Sequence, residues 1–503
     1  LLVVATGLFL RVRGYLFAAS AFWLDECSWA MMLVEEPIRE LAIRPIAFLA
    51  ISKGLGQLFG LTELSLRALP WLAGMATTLL AVPLSQRLFR SPAARLLFVF
   101  IIALHPCAID FSKEFKPYSV SLYLHLSLAL LALQYFQTRS RAALTALLLI
   151  AASGTLFAQD ILFAYPSAFL LVGFTAWRTN RKHFVAVAAT AGFIVLLLVA
   201  QDLMFWRHAV TRDDVSTWTE KYSVFYARDT GETPFRWALD RYLGMSAFPG
   251  FRRTLWRPWF FEHDLLDTFA SVDEVIWCCL HFVGLFVLLR RRHVEAVVLL
   301  VPLVTLWFFN LIRLWPIGVF RTNLFILVYV AGIACMALDA LPAKLPRFVQ
   351  ALPALVLVLL PLALFDRAWS AQKQALTFSS AFPDTLKELL RLKRENAGRR
   401  ETLLLDRRSC APFRYYTEFQ PRVSRRLRPA LDAEFDTHCI LSDLPSREIN
   451  DATPEKPSEV WAVLHADRAV TAAIRGHTLG RAPIRHEKRV GQHIIVAFSR
   501  KAN

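Results

Sequence analysis

No Cys-x-x-Cys pair occurs among the seven cysteines of this 503-residue chain, and no cysteine and histidine cluster has zinc-ligand spacing. A zinc module is thereby excluded, and an odd number of cysteines excludes complete intramolecular pairing. Charge is also scarce: 19% of residues are charged against 56% hydrophobic, and a mean hydropathy of +0.42 is too apolar for a soluble enzyme of this size. No internal repeat or low-complexity block is visible. The chain opens Leu1-Leu2-Val3-Val4 without a methionine, so a cytoplasmic start and the first turns of the opening helix are expected to precede it, and no cleavable signal is read. What remains is the pattern of a polytopic membrane protein.

The 57 Lys and Arg against 40 Asp and Glu leave a net charge of +17, and the placement of those charges separates a nucleic-acid binder from a membrane protein with basic inner loops. A bilayer core of roughly 30 Å takes about 20 apolar residues per helix. Eleven candidate spans satisfy this, at about 1–17, 65–86, 96–110, 118–136, 142–158, 161–177, 184–204, 273–289, 294–311, 317–337 and 349–365. With a cytoplasmic N-terminus, the inner loops hold Arg87, Arg90 and Arg95; Arg139 and Arg141; Arg178, Arg181 and Lys182; Arg290, Arg291 and Arg292; and Lys344 and Arg347, with only Asp339 opposing. The alternating outer segments hold Asp25, Glu26, Asp110, Glu114 and Asp160. The positive-inside rule favours this one orientation throughout, and most polar chemistry then lies outside.

Three outer segments are long enough to fold: 18–64, 205–272 and the tail 366–503. Within the first, the interrupted apolar run 46–59 reads as a helix lying in the interface. The second carries Trp206, Trp218, Tyr222, Trp237, Trp256 and Trp259, as expected for a segment resting on headgroups. The tail is net basic, with strand-length runs at 402–405, 460–464 and 494–498 and helical stretches at 411–419 and 468–478, which predicts a small soluble α/β domain. Residues 1–365 then form a transmembrane catalytic domain.

Two carboxylate sites and several cations can converge on one membrane face. Asp25-Glu26 follows the first span, and a short connection presents Asp110-Phe111-Ser112-Lys113-Glu114-Phe115-Lys116-Pro117-Tyr118. A reaction that needs this arrangement is transfer of a sugar from a polyprenyl phosphate to a hydroxyl. The phosphate leaves well beside a cation, and the hydroxyl needs a carboxylate base. The bland alternative for such carboxylates is a solvated loop.

Three ordered stretches resemble the GT-C glycosyltransferases of the family 39 type, which include protein O-mannosyltransferases and lipid A aminoarabinose transferases. They are Trp23-Leu24-Asp25-Glu26; Arg44-Pro45 with Leu58-Phe59-Gly60 and Leu66-Arg67-Ala68-Leu69-Pro70; and Phe111 through Tyr118. The resemblance spans roughly residues 1–136 and resumes at Trp315-Pro316-Ile317-Gly318-Val319-Phe320-Arg321; Leu405-Asp406 and Ala411 through Tyr416 resemble the outer domain of related bacterial enzymes. The resemblance implies a GT-C fold of about 11 transmembrane helices and an inverting transfer from a polyprenyl-phosphate sugar to a lipid, glycan or protein acceptor. The enzyme would lie in a bacterial inner membrane with its site facing the periplasm or exterior. It puts the catalytic base on Asp25, with Glu26 shaping the site and Glu114 as the second-loop acid. Where the family commonly has Arg this chain has Lys116, which keeps the charge and loses the bidentate fork; Tyr118 matches the aromatic that follows.

Arg321 is a second candidate for the donor phosphate, against the alternative of a side chain snorkelling to the surface. Lys53 is a phosphate candidate or an interfacial anchor. His105-Pro106 marks a helix end. No cofactor is implied and no metal ligand set is read among the 12 histidines, although a divalent ion stays open. Cys410 and Cys439 share one domain where a disulfide is possible. The stretch Arg422 to Arg428 reads as a solvated or headgroup-facing surface, not a nucleic-acid site. A secondary transporter or lipid flippase would show paired half-sequences and broken spans at matching positions, which are not evident; an inactive scaffold of the same fold stays open.

Overall fold

The computed structural model describes residues 1–16, 22, 24–35, 45–201, 203, 233–249, 266–318, 321–340, 382–395, 401–405, 407–439, 459–465, 484–490 and 493–499. They fall into two compact units. A helical unit comprises Leu1–Phe17, Ile38–Ile51 and Arg67–Trp369, and a tail unit comprises Ala18–Pro37, Ser52–Leu66 and Ser370–Asn503.

The helical unit is built from α1 (Leu2–Leu16), most of α4 (Glu63–Leu88), α5 (Pro92–Leu104), α6 (Pro106–Asp110), α7 (Tyr118–Thr138), α8 (Arg141–Phe157), α9 (Tyr165–Thr179), α10 (Arg181–Gln201), α11 (Pro234–Ser246), α12 (Leu266–Arg291), α13 (His293–Leu311) and α14 (Ile326–Asp339). Two further helices, α2 (Leu24–Glu35) and α3 (Ile46–Phe59), lie in the first outer segment. A helix occupies ten of the eleven predicted spans, and the eleventh, 349–365, lies outside the described residues. Among the described residues four helices are long and apolar enough to cross a membrane: α4, α7, α10 and α13. Counting α5 with α6 as one span, bent by 47°, makes five. The late span differs most from expectation, since α14 begins at Ile326 and not at 317.

The interior of this unit is centred on α14, whose residues Ile326 to Leu338 are all buried, against α5, α12 and α13. The approach to α12 requires Gly284, because a Cβ there would strike the Ile333 carbonyl. The predicted inner loops meet one another. Asp339, the only acid among them, accepts hydrogen bonds from the Arg90 and Ser91 amides at 2.6 Å each and pairs with Arg292. Arg87 donates to Gln137 at 2.5 Å, and Tyr135 bonds His183 at 2.9 Å. One carboxylate thus neutralises the crowding of basic loops while completing the start of α5. These contacts bring the ends of α4, α7, α12 and α14 and the start of α10 together at one end of the unit.

The tail unit contains a five-stranded mixed sheet, β1 (Glu401–Leu405), β2 (Phe435–Cys439), β3 (Glu459–His465), β4 (Ile484–Val490) and β5 (His493–Ser499), in the order β2-β1-β3-β5-β4. β1 pairs in parallel with β2 and β3, while β5 pairs antiparallel with β3 and β4. Among the described residues of the tail it is accompanied by α15 (Phe382–Glu395), α16 (Arg407–Arg414), which runs into a π turn at Tyr415–Phe419, and α17 (Pro421–Glu434). Every residue of β1 is buried, the pattern of a central strand covered on both faces. Buried Lys393 pairs with Glu401 at 3.0 Å, and Glu401 also accepts from the Trp461 indole at 2.6 Å, so the interior charge is compensated. Cys410 is disulfide-bonded. The side chain of Cys439 and the helical stretch predicted at 468–478 lie outside the described residues.

Candidate active site

The loop that carries the predicted second motif of the helical unit grows out of a broken helix. His105 is extended (φ −58°, ψ 126°) because Pro106 follows it, and Pro106 has no N–H to offer the Ile102 carbonyl. Arg11 of α1, wholly buried, takes over that role: it donates to the carbonyls of Ile102 at 3.4 Å, Ala103 at 2.6 Å and Gly7 at 3.0 Å. Beyond the break Asp110 pairs with Lys113 at 2.8 Å and acts electrostatically on Arg11. Helix α4 passes close by at Gly74, where a Cβ would lie 2.5 Å from that of Ser112 and 3.4 Å from Arg11 Nε.

Glu114 and Lys116 are 5% and 4% exposed, and a tight turn joins them, with the Lys116 amide donating to the Glu114 carbonyl at 2.7 Å. Aromatic contacts fix the loop on either side: Phe115 stacks on Phe48 at 5.7 Å and Phe111 meets the edge of Tyr118 at 5.4 Å. Pro117 precedes Tyr118, the first residue of α7, so the motif ends where a membrane helix begins.

Arg321 is half-buried in a short 3-10 turn, Arg321–Asn323, ahead of α14. Asn323 folds the preceding segment onto this turn, accepting from the Trp315 indole at 2.8 Å and donating to the carbonyls of Pro316 at 2.9 Å and Gly318 at 3.1 Å. The turn packs on α7, and Phe325 just beyond it stacks on His125 of α7 at 4.4 Å. Val319 and Phe320 lie outside the described residues. Beside His125, Ser121 donates to Asp160 at 2.5 Å. Asp160 sits in the connection between α8 and α9, where burial pushes its carboxyl up to about 7 against the opposing hydrogen bond from Ser121.

In the tail unit Asp25 and Glu26 occupy the first turn of α2, where a carboxylate meets the positive end of the helix. Asp25 is half-buried and Glu26 is fully buried. Just before them the Phe22 amide donates to the Tyr416 hydroxyl at 2.5 Å, and that hydroxyl donates to Glu63 Oε1 at 3.1 Å. Gln420 reaches Glu63 Oε2 at 3.5 Å, Tyr415 donates to the Leu61 carbonyl at 3.1 Å, and Arg414 pairs with Glu35 at the far end of α2. Thr62 and Ser65 cap each other reciprocally, the Thr62 amide to Ser65 Oγ at 3.1 Å and the Ser65 amide to Thr62 Oγ1 at 3.2 Å, which holds Glu63 at the start of α4. Lys53 is half-buried in α3, within the portion belonging to this unit. Trp23 and Arg44 lie outside the described residues.

The predicted residues therefore divide. Glu114, Lys116, Tyr118 and Arg321 belong to the helical unit, whereas Asp25, Glu26 and Lys53 belong to the tail unit. Sequence reasoning missed Arg11, although an ionisable residue inside an apolar run is a signal in itself. It also missed Glu63 as a partner of Tyr416, for which no local signal exists. Among the described residues no group of three or more His, Cys, Asp or Glu side chains is disposed to hold a metal ion.

No protein-family description and no curated protein matches this chain. Among solved structures it is similar to ArnT from Cupriavidus metallidurans bound to undecaprenyl phosphate, with 14% identity and a TM-score of 0.48 over 99% of this chain and 97% of that one. The same enzyme in the apo state gives 12% identity and a TM-score of 0.48 with the same coverage. The oligosaccharyltransferase of Archaeoglobus fulgidus, tethered to an acceptor peptide containing the NVT sequon, gives 11% identity and a TM-score of 0.46 over 94% of this chain and 70% of that one. At such identities and scores these likenesses assign no residue and no activity.

Proposed function

We propose that this chain is a membrane glycosyltransferase of the GT-C type that moves a sugar from a polyprenyl phosphate to a hydroxyl of a lipid, glycan or protein acceptor on the outer face of a bacterial inner membrane. The observation that carries the reading is the second-loop motif. In a predominantly apolar helical unit, Arg11, Asp110, Glu114 and Lys116 are all at most 6% exposed beside one helix break. Burying so many ionisable groups in a membrane domain is costly, and such groups are retained where an ionic substrate is handled.

In the reaction Asp25 takes the proton of the acceptor hydroxyl as its oxygen attacks the anomeric carbon. The bond from that carbon to the phosphate oxygen breaks, its electron pair leaves with the lipid phosphate, and the configuration at the anomeric carbon inverts. Lys116 and Arg321 stabilise the charge gathering on the departing phosphate, with Tyr118 and Lys53 as further donor contacts, and Glu26 and Glu114 shape the acidic side. The test is incubation of membranes containing the protein with radiolabelled polyprenyl-phosphate sugars. Label passing to an acceptor supports the enzyme, whereas label carried across the membrane on intact donor, or left where it was, contradicts it.

A further inference from the structure

We infer that Tyr416, in the tail, is a positioning residue for the base: its hydroxyl sets the first turn of α2, and with it Asp25, by joining the Phe22 amide to the Glu63 carboxylate. The inference rests on the reading of Asp25 as the base. Three independent features point the same way. Tyr416 is wholly buried, so its hydroxyl cannot exchange these partners for water. Two of its hydrogen bonds, 2.5 Å from the Phe22 amide and 3.1 Å to Glu63, use the hydroxyl once as acceptor and once as donor, which sets the direction of both. Its second partner is itself held, because Gln420 bonds the other oxygen of Glu63 and the Thr62 and Ser65 cap fixes the turn that presents it.

The Phe22 amide belongs to the chain just as it enters α2, where the backbone direction chosen decides where the first-turn carboxylates point. A helix of 12 residues is marginal by itself, so its orientation depends on such anchors. Tyr415 provides the internal comparison. It is equally buried and adjacent, and its hydroxyl donates to the Leu61 carbonyl while its ring packs on Phe22 at 5.1 Å. Its hydroxyl thus anchors the turn before α4 and leaves the Phe22 amide alone. Removing one oxygen atom from Tyr416 takes away the hydroxyl to which the Phe22 amide donates, whereas removing the same atom from Tyr415 leaves that hydrogen bond in place.

The experiment uses full-length protein in lipid nanodiscs, as wild type, Tyr416→Phe, Tyr415→Phe, Asp25→Asn and the double variant Asp25→Asn/Tyr416→Phe. Turnover is followed with whichever undecaprenyl-phosphate-linked hexose or aminopentose the wild type uses, and is normalised to monodisperse protein. Hydrogen exchange at residues 22–27 is followed in parallel. Tyr416→Phe should lower kcat about 10- to 100-fold, the scale of a displaced reacting group, with little change in donor KM, and the Phe22 amide should lose protection. Tyr415→Phe should keep its kcat and that protection. The double variant should be no slower than Asp25→Asn alone, because a base that is absent cannot be misplaced. Normal kcat in Tyr416→Phe beside a slow Asp25→Asn overturns the positioning role and leaves the base assignment standing, as do fully additive losses in the double variant. Normal turnover by Asp25→Asn overturns both. Unchanged exchange at Phe22 in Tyr416→Phe overturns the contact itself, whichever donor is used.

Discussion

The second-loop pair Glu114 and Lys116 and the first-turn carboxylate Asp25 are held in place by different means. Glu114 and Lys116 lie in a loop shaped largely by nearby sequence, through a turn of three residues, a proline and the start of α7, with Phe115 stacked on Phe48 of the same unit. Asp25 has a local motif too, but its helix is anchored by Tyr416, 394 residues beyond Phe22, and by Arg414 at its other end. The proposed phosphate cation Lys116 is therefore written into a short stretch of sequence, while the proposed base Asp25 sits on a helix anchored by the distant tail. A locally fixed group should be sensitive to its own substitution and indifferent to the tail; a remotely fixed group should be sensitive to both.

The largest effect on the basic side should come from removing charge. Lys116→Met and Arg321→Met should each cost about 2 to 4 kcal/mol of transition-state stabilisation, a rate loss of roughly 30-fold to several hundred-fold at saturating donor. Arg321→Lys should be tolerated in part, since a point charge replaces a planar fork. Normal turnover in both Met variants would move the phosphate site elsewhere, with Lys53, Lys113 and Arg313 next to be substituted.

A smaller effect tests whether local packing holds the basic motif. Gly74→Ala places a methyl 2.5 Å from Ser112 Cβ, and such overpacking typically costs about 1 to 3 kcal/mol. The thermal midpoint of the purified protein should fall, and with it turnover by the fraction that stays folded. An unchanged midpoint would show that the loop beside α4 is looser than its contacts imply.

The smallest effect belongs to the tail alone. Hydrogen bonds from Arg391 and Lys488 hold the Glu388 carboxyl down at about 2, and the 2.5 Å contact with Lys488 ties α15 to β4. A carboxylate lowered in the folded state adds stability that is fully present above its unfolded value and is lost as pH falls through its folded value. Tail stability should thus decline between about pH 4.5 and about pH 2, and Glu388→Gln should flatten that part of the curve. Melting at stepped pH, read by hydrogen exchange in β4, checks this; an equal slope in both proteins would assign the acid sensitivity to other groups.

How much of this was legible in sequence follows from the same contrast. The three central strands β1, β3 and β5 announced themselves as apolar runs because both of their faces are covered. The two missed strands, Phe-Asp-Thr-His-Cys and Ile-Arg-His-Glu-Lys-Arg-Val, are the edges of the sheet, where charge guards against unwanted pairing and hides the strand from a hydrophobicity scan. Pro429 inside α17 concealed that helix similarly; the run from Arg422 to Arg428 does present exposed Arg425 and Arg426, but Arg428 is paired with Glu418 and Asp432. His105-Pro106 marks a helix end in the sequence, and the structure adds the reason for Arg11, which serves the carbonyl that proline cannot. The Asp25, Lys116 and Arg321 motifs stood out as charges between apolar runs. Glu63 with Tyr416 did not, because partners 353 residues apart leave no periodic trace.

The most direct test of the account is turnover by purified Asp25→Asn protein with a radiolabelled polyprenyl-phosphate sugar at saturating donor, alongside donor binding. Asn keeps the shape of Asp and cannot accept the acceptor's proton, so transfer should fall by about 10²-fold or more while the donor still binds and the protein still accumulates in the membrane. Near-normal transfer by Asp25→Asn would contradict the account, because the base would then lie elsewhere.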